Sequence, residues 1–200
     1  MKLLRVWCGP MCAAKTTGAL DAARRYARHG KKVLLVRPAI SRRDHEHDPS
    51  SLSTKNGEDF PCHEFEHAFD MATFVEDADV DVVWIDEPNH FPDESVLYAY
   101  ICRIREKAIV LVSGLGATSE LDPFGHSIPR LLAVADHVHW LSADCDACNT
   151  HGTATRSLYI GEGLKDSQLQ VGGAESYRPV CPDCWTKLMK LDPASRWQMV

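Results

Sequence analysis

Three groups of residues in this 200-residue chain have types and spacings suited to chemistry. The first is "GPMCAAKTT", running from Gly9 through Pro10, Met11, Cys12, Ala13, Ala14, Lys15 and Thr16 to Thr17. It keeps the spacing of a phosphate-binding loop, except that Ala14 stands where the second glycine belongs. In such a loop, successive backbone N–H groups face phosphate oxygens and the following helix adds its positive end. Lys15 would reach the β- and γ-phosphates of a bound nucleotide, and Thr16 would hold Mg²⁺. A Cβ in the left-handed region costs about 1–2 kcal/mol. Alanine carries the smallest Cβ, and position 14 borders the helix, so a negative φ is expected there. On that expectation, Ala14→Gly loses some stability through added unfolded-state entropy.

The second group is Asp86-Glu87, delivered by the apolar run of "VDVVWIDEPNHF" (residues 80–91). A carboxylate at the C-terminal end of a parallel strand can bind the Mg²⁺ of a nucleotide, and a second can take a proton from an attacking hydroxyl. The alternative is a solvated acidic pair at a strand end. The third group is Cys145-Asp-Ala-Cys148 with Cys181-Pro-Asp-Cys184. Two such tight turns complete a tetrahedral Cys₄ zinc site, structural in kind because four protein ligands leave no open position. The stretch between the pairs exceeds the roughly 15–20 residues usual for such ribbons, so a long loop is expected there. Cys8, Cys12, Cys62 and Cys102 are scattered and read as thiols packed within the fold.

An alternating series of strands and helices must hold these groups. Residues 2–8 read as a buried strand entering the Gly9 loop. A helix follows over 16–29, with Gly30 just past its end. Val33–Val36 is a strand closed by Pro38, and the polar residues 41–59 read as a loop. Strands are expected at 80–85, 108–112 and 137–141, and helices at 93–107 and 129–135. This order predicts a P-loop NTPase-like parallel sheet with helices on both faces, over residues 1–142. A small zinc-ribbon or lasso domain with a short tail fills 143–200.

A formal net charge of -6 argues against a broad nucleic-acid surface. No apolar run is long enough to span a bilayer, and the first residues lack a signal peptide's pattern, so a cytoplasmic protein without a membrane partner is expected. "HEFEH", from His63 to His67, matches the H-E-x-x-H pattern of zinc proteases. That chemistry needs both histidines on one helix face, with Glu64 as base, and Pro61 close before it speaks against the helix. His45 and His47 read as surface residues.

The chain resembles the type II thymidine kinases, P-loop deoxynucleoside kinases with a zinc-binding lasso domain. "GPMCAAKTT" is similar to their GPM-(Phe/Tyr)-SGKT loop, and "WIDEPNHF" to their IDE-(Ala/Gly)-QFF element. "SGLGATSELDPF" parallels GLD-x-DF-x-x-x-PF, while "ADHVHWLSADCDACNTHGTATRS" and "VGGAESYRPVCPDC" resemble the zinc module. The resemblance implies that Gly9 to Thr17 bind ATP and that Thr16 and Asp86 serve Mg²⁺. It implies that Lys15 and Glu87 are catalytic, with Glu87 taking the proton of the nucleoside 5′-hydroxyl. Met11, Leu115, Phe124, Thr155 and Tyr177 would enclose the base, and Val171, Gly172 and Gly173 would read its edge through backbone groups. The family is usually tetrameric, so a homo-oligomer (tetramer or dimer) is expected.

The departures concentrate near the base. Asn89 and His90 replace Gln-Phe, Gly116 replaces Asp, and Ser119 replaces a second Phe, while Ala13-Ala14 replaces Ser-Gly in the loop. Exchanging apolar rings for an imidazole and a hydroxyl adds hydrogen-bonding capacity. The expectation is an ATP-, Mg²⁺- and zinc-containing kinase acting on thymidine or a related, 5-modified, pyrimidine deoxynucleoside, with His90 in its pocket. The rival readings are a nucleoside or nucleotide sensor in which Ala14 spoils ATP binding, and a zinc-ribbon nucleic-acid-binding ATPase.

Overall fold

Four apolar runs, flanked by two shorter and more polar edge strands, pair side by side, every neighbour parallel, and helices cover both faces. The computed structural model describes residues 1–41, 50–53, 59–161, 176–191 and 195–196. In chain order the elements are β1 (Leu4–Cys8), α1 (Lys15–Arg28), β2 (Val33–Pro38), β3 (Ser51–Ser53), β4 (Asp59–Pro61), β5 (His63–Phe65) and α2 (Ala68–Asp77). Then come β6 (Val82–Asp86), α3 (Glu94–Lys107), β7 (Ile109–Gly114), α4 (Ser127–Val134) and β8 (His137–Trp140). The cysteine module contributes β9 (Arg156–Tyr159), β10 (Tyr177–Val180) and α5 (Pro182–Leu188). The main sheet has the order β5-β2-β6-β7-β1-β8. Strands buried on both faces lose the polar alternation, which is why β1, β6 and β7 read as continuous apolar runs.

Alternate strand residues feed two cores. Val6, Val83, Ile85, Val110 and Val112 face α2, α3 and α4 through Met71, Val75, Leu97, Ile101, Ile104 and Leu131. Trp7, Trp84, Val82 and Leu111 face α1 through Ala19, Leu20, Ala22 and Ala23. The small residues of α1 let it lie close to the sheet. At Gly18, inside that helix, an added Cβ would come within 2.8 Å of the Trp7 indole. Glycine in a helix costs about 1 kcal/mol against alanine, and here the indole requires it.

The expected elements are present, with displaced ends. The third expected strand begins at Val82, not Val80, because the Asp81 carboxylate is held by the Lys32 N–H and the Lys31 ammonium. The helix expected from Pro129 starts at Ser127, since both carboxylate oxygens of Glu94 accept N–H groups, from His126 and Ser127. In the main sheet and its helices, β5 and α2 have no expected counterpart. Strand β5 is only three residues long, and α2 carries Ala68, Met71, Ala72 and Val75 at helical spacing that the polar flanks obscured. Part of the expected 41–59 loop is the antiparallel pair β3–β4; His45 and His47 lie outside the described residues.

The cysteine module has a core of its own: Cys145, Ala154, Leu158, Ile160, Val180 and Leu188. Its strands β9 and β10 pair antiparallel, with Tyr177 opposite Tyr159 and Val180 opposite Arg156. The Arg196 guanidinium donates to the carbonyls of Leu188 and Leu191, closing the end of α5. Among the described residues no helix is long and apolar enough to cross a membrane.

Candidate active site

Register places three loops side by side. Cys8 pairs with Gly114 and Asp86 with Ser113, so β1, β7 and β6 end together at the C-terminal edge of the sheet. In open parallel sheets this edge is where ligands collect.

The loop after β1 is tight. A Cβ on Gly9 would lie 2.6 Å from the Leu141 carbonyl oxygen, so only glycine fits that approach. Cys12 and Ala14 both have positive φ, 60° and 56°. The expected negative φ at Ala14 is therefore wrong: the loop must reverse before α1 begins, and this position makes the turn. Ala14 carries the left-handed cost of about 1–2 kcal/mol that glycine would avoid. Its carbonyl accepts the Gly18 N–H at 2.9 Å, starting the helix. No side chain caps that end and no acidic residue lies within its first turn, so the helix's own leading N–H groups stay open to an anion.

Lys15 is buried, and its ammonium donates to the Pro10 carbonyl at 2.6 Å. Burial pulls its pKa below the ordinary lysine value, opposed first by the charge of Glu87 and then by that of Asp86. Asp86 is only 3% exposed. Thr16 Oγ1 lies 3.4 Å from each of its carboxylate oxygens. On the other side the Ser113 hydroxyl donates to Asp86 Oδ1, and the buried Trp84 indole N–H donates to Ser113 Oγ at 2.7 Å. This chain fixes the carboxylate from behind. Neither Trp84 nor Ser113 was singled out from sequence, because serine at a strand end and tryptophan in a strand have no signature of their own.

Glu87 sits on a left-handed turn, φ 48°, and its N–H donates to the Ser113 carbonyl at 2.7 Å. A non-glycine residue in that region costs about 1–3 kcal/mol and persists where surrounding structure imposes it. His90 is buried; its Nδ1 lies 2.9 Å from Ser41 Oγ and 3.4 Å from Glu87 Oε2. Its ring meets Phe124 edge-on, with centroids 5.8 Å apart. Asn89 is 2% exposed, and neither end of its carboxamide has a partner among the described residues.

The other expected base-side residues divide. Leu115 and Phe124 lie on the loop after β7, Phe124 buried. Tyr177 packs on Tyr159 at 5.3 Å; burial first, then Tyr159 and Glu120, push its phenol up to about 12. Thr155 is exposed just before β9. Met11 reaches the module instead, its N–H donating to Ser157 Oγ at 2.9 Å. Ser119 is buried as a ring would be, but its hydroxyl donates to its neighbour Glu120, so it adds less spare hydrogen-bonding capacity than its type suggests. Val171, Gly172 and Gly173 lie outside the described residues.

The ligand atoms of Cys145, Cys148, Cys181 and Cys184 all lie within 4.8 Å of one another. A tetrahedral site with Zn–S near 2.3 Å requires sulfurs roughly 3.8 Å apart. Cys148 and Cys181 are at 4.0 Å, and the Cys181 N–H points at Cys145 Sγ from 3.2 Å. Hydrogen bonding with Thr150 pulls the Cys148 thiol down to about 6, toward the thiolate a metal needs. The set suits zinc. The protease pattern does not form a site: His63 and Glu64 lie on strand β5, His67 lies beyond it, and Glu64 pairs with the buried Arg37 at 2.8 Å.

A family model described as thymidine kinase matches residues 2–185. The chain belongs to the thymidine kinase family. A curated thymidine kinase of Mycoplasma genitalium is 29% identical over 177 residues, which is 88% of this chain and 79% of the relative. A solved structure described as a DNA replication initiation factor aligns with a TM-score of 0.39 and 12% identity, over 71% of this chain and 41% of that one. As a member of the thymidine kinase family the chain is a kinase, a transferase for which a nucleoside substrate is implied.

Proposed function

We propose that this kinase transfers the γ-phosphoryl group of ATP to the 5′-hydroxyl of thymidine or a related pyrimidine deoxynucleoside. One observation carries the reading: Lys15, the Thr16–Asp86 pair and Glu87 converge on a single sheet edge. The loop from Gly9 to Thr17 would hold ATP, with Lys15 on its phosphates and Thr16 and Asp86 holding Mg²⁺. The metal supplies charge neutralisation on the phosphates when bound. Glu87 would take the 5′-hydroxyl proton as oxygen attacks in line. The strained backbone at Glu87, held by Ser113, orients that carboxylate before substrate arrives. Cys145, Cys148, Cys181 and Cys184 would hold structural zinc in a domain beginning near residue 143, and the form proposed is a cytoplasmic homo-oligomer, dimer or tetramer.

Met11, Leu115, Phe124, Thr155 and Tyr177 are assigned to the nucleoside, with backbone from Val171 to Gly173. His90 joins them because its imidazole is buried against Phe124 rather than turned to solvent. A polar group there binds an apolar 5-methyl poorly, since an unpaired buried donor or acceptor costs about 1–3 kcal/mol. Thymidine should therefore not be strongly preferred over deoxyuridine or 5-hydroxymethyl-deoxyuridine. The test is a panel of free nucleosides with ATP and Mg²⁺, scored by 5′-monophosphate formed. No phosphorylated product from any pyrimidine deoxynucleoside would overturn the assignment; ATP hydrolysis stimulated by DNA would favour the nucleic-acid-binding ATPase instead.

A further inference from the structure

Among the described residues, hydrogen bonds cross from the cysteine module to two different loops of the site. The Met11 N–H, in the loop after β1, donates to Ser157 Oγ of β9 at 2.9 Å. The Trp185 indole N–H, on α5, donates to the Ser119 carbonyl in the loop after β7 at 3.0 Å. Both acceptor residues are buried, Ser157 at 6% and Ser119 at 3% exposure, so water offers no ready substitute partner. Within the module the two contact points belong to one unit. Trp185 follows Cys184 directly, Ser157 pairs across the strands with Pro179, and the Cys181 N–H points at Cys145 Sγ. The loops they grip are strained and lack regular ladders: Cys12 beside Met11, and Leu121 near Ser119, both have positive φ.

We propose that Ser157 and Trp185 are positioning residues, through which the cysteine module sets the phosphate loop and the base-side loop in register with each other. This rests on assigning the first loop to ATP and the second to the nucleoside. The module is then a clasp across both substrates rather than a cover over one of them. Removing one contact takes away its loop's hydrogen bond to the module, leaving contacts such as Lys15 with Pro10 and His90 with Phe124, and the loop samples positions from which it binds less well. Ser157 serves the donor side, and Trp185 the nucleoside side.

The test compares steady-state kinetics and melting of native protein with Ser157→Ala, Ser157→Thr and Trp185→Phe, each carrying its full complement of zinc. Ser157→Ala should raise KM for ATP roughly 2- to 12-fold, the range expected for one lost hydrogen bond, and Ser157→Thr, which keeps the hydroxyl, should restore it. Trp185→Phe keeps the ring and loses the donor; it should raise KM for thymidine by a similar factor with KM for ATP within twofold of native. Lys15→Ala is the control for the underlying assignment: if it binds ATP like the native protein, the assignment fails, whatever the clasp does. If Lys15→Ala loses ATP while the Ser157 and Trp185 variants keep both KM values and merely melt earlier, the two contacts are only adhesive and the clasp is overturned. Failure of Ser157→Thr to restore KM, or equal rises of both KM values in Trp185→Phe, overturns it as well. The Ser157 pair decides alone if Trp185→Phe does not fold.

Discussion

The two sides of the sheet edge, proposed above for phosphate and for base, are built on opposite principles. On the phosphate side every polar group of the set is committed: Thr16 approaches Asp86, Ser113 donates to Asp86, and Trp84 donates to Ser113. On the base side Asn89 is buried with its carboxamide unpaired among the described residues, and His90 shares a single ring nitrogen between Ser41 and Glu87. The departures from the family's motifs fall mainly on this second side. Charge stabilisation at a transferring phosphoryl group depends on placing a few ions within ångströms, so that side admits little exchange. Selection of a base depends on filling a volume and pairing its edges, for which several residue sets serve. Of the loop's departures, Ala13 and Ala14, the second is accommodated by strain, not by a change of chemistry.

The largest effect that could break this division is at Glu87. Glu87→Gln should retain fold and ATP binding while turnover falls about 10²–10⁴-fold, the usual contribution of a positioned general base. Phosphate transfer from labelled ATP measures it; near-native turnover in both Glu87→Gln and Asp86→Asn would move the reacting centre elsewhere. Cys181→Ser should come next. Metal analysis should find about one zinc per chain in native protein and little in the variant, with amide protection lost across β9 and β10. An unaltered melting curve would show that the module needs no metal.

A third prediction sharpens the base side itself. His90→Phe should shift the ratio of kcat/KM for thymidine over deoxyuridine about 5-fold or more toward thymidine, because an apolar ring replaces the polar imidazole beside the proposed base site. An unmoved ratio would confine His90 to its contact with Glu87. Ala14→Gly should change least. Relief of about 1–2 kcal/mol of left-handed strain exceeds the roughly 0.4–1 kcal/mol of added unfolded-state entropy, so the variant should melt slightly higher and bind ATP equally or more tightly. A lower melting temperature would mean the loop relaxes to accept alanine.

Thiol labelling gives a fifth comparison within one loop. Burial pushes the Cys8 thiol up to about 11, while Cys12 is exposed. At pH 8 the Cys8 thiolate fraction is on the order of one in a thousand, so iodoacetamide should label Cys12 and spare Cys8. ATP with Mg²⁺ should slow the labelling of Cys12, read by peptide mass spectrometry; labelling indifferent to ATP would argue that the nucleotide does not occupy this loop.

The legible parts of the molecule were those with a period or a spacing. Continuous apolar runs announced β1, β2, β6 and β7, and paired CxxC units announced the four-sulfur cluster. Lys15, Thr16, Asp86 and Glu87 were legible because their chemistry demands particular residue types after a strand. Partners that act by position were not. Ser113, Ser41, Ser157 and Trp185 are ordinary residues until the chain folds, and each meets its partner across a large sequence separation. The left-handed φ of Ala14 was hidden for a related reason: backbone conformation at a loop's last residue is set by where the strand and the helix must go, and alanine itself prefers otherwise.

The pairing of β1 also governs how the protein comes to exist. Both neighbours of this first strand, β7 and β8, are made from residues 109–140, so β1 emerges long before anything can pair with it. At roughly 5–20 residues per second, translation leaves it waiting on the order of ten seconds, an apolar edge with unsatisfied backbone groups. The phosphate loop is therefore finished late, when β8 docks and the Leu141 N–H closes on the Cys8 carbonyl at 2.8 Å. Until that moment the loop proposed to hold nucleotide is incomplete, and holding β1 against aggregation during synthesis falls to the folding machinery of the cell.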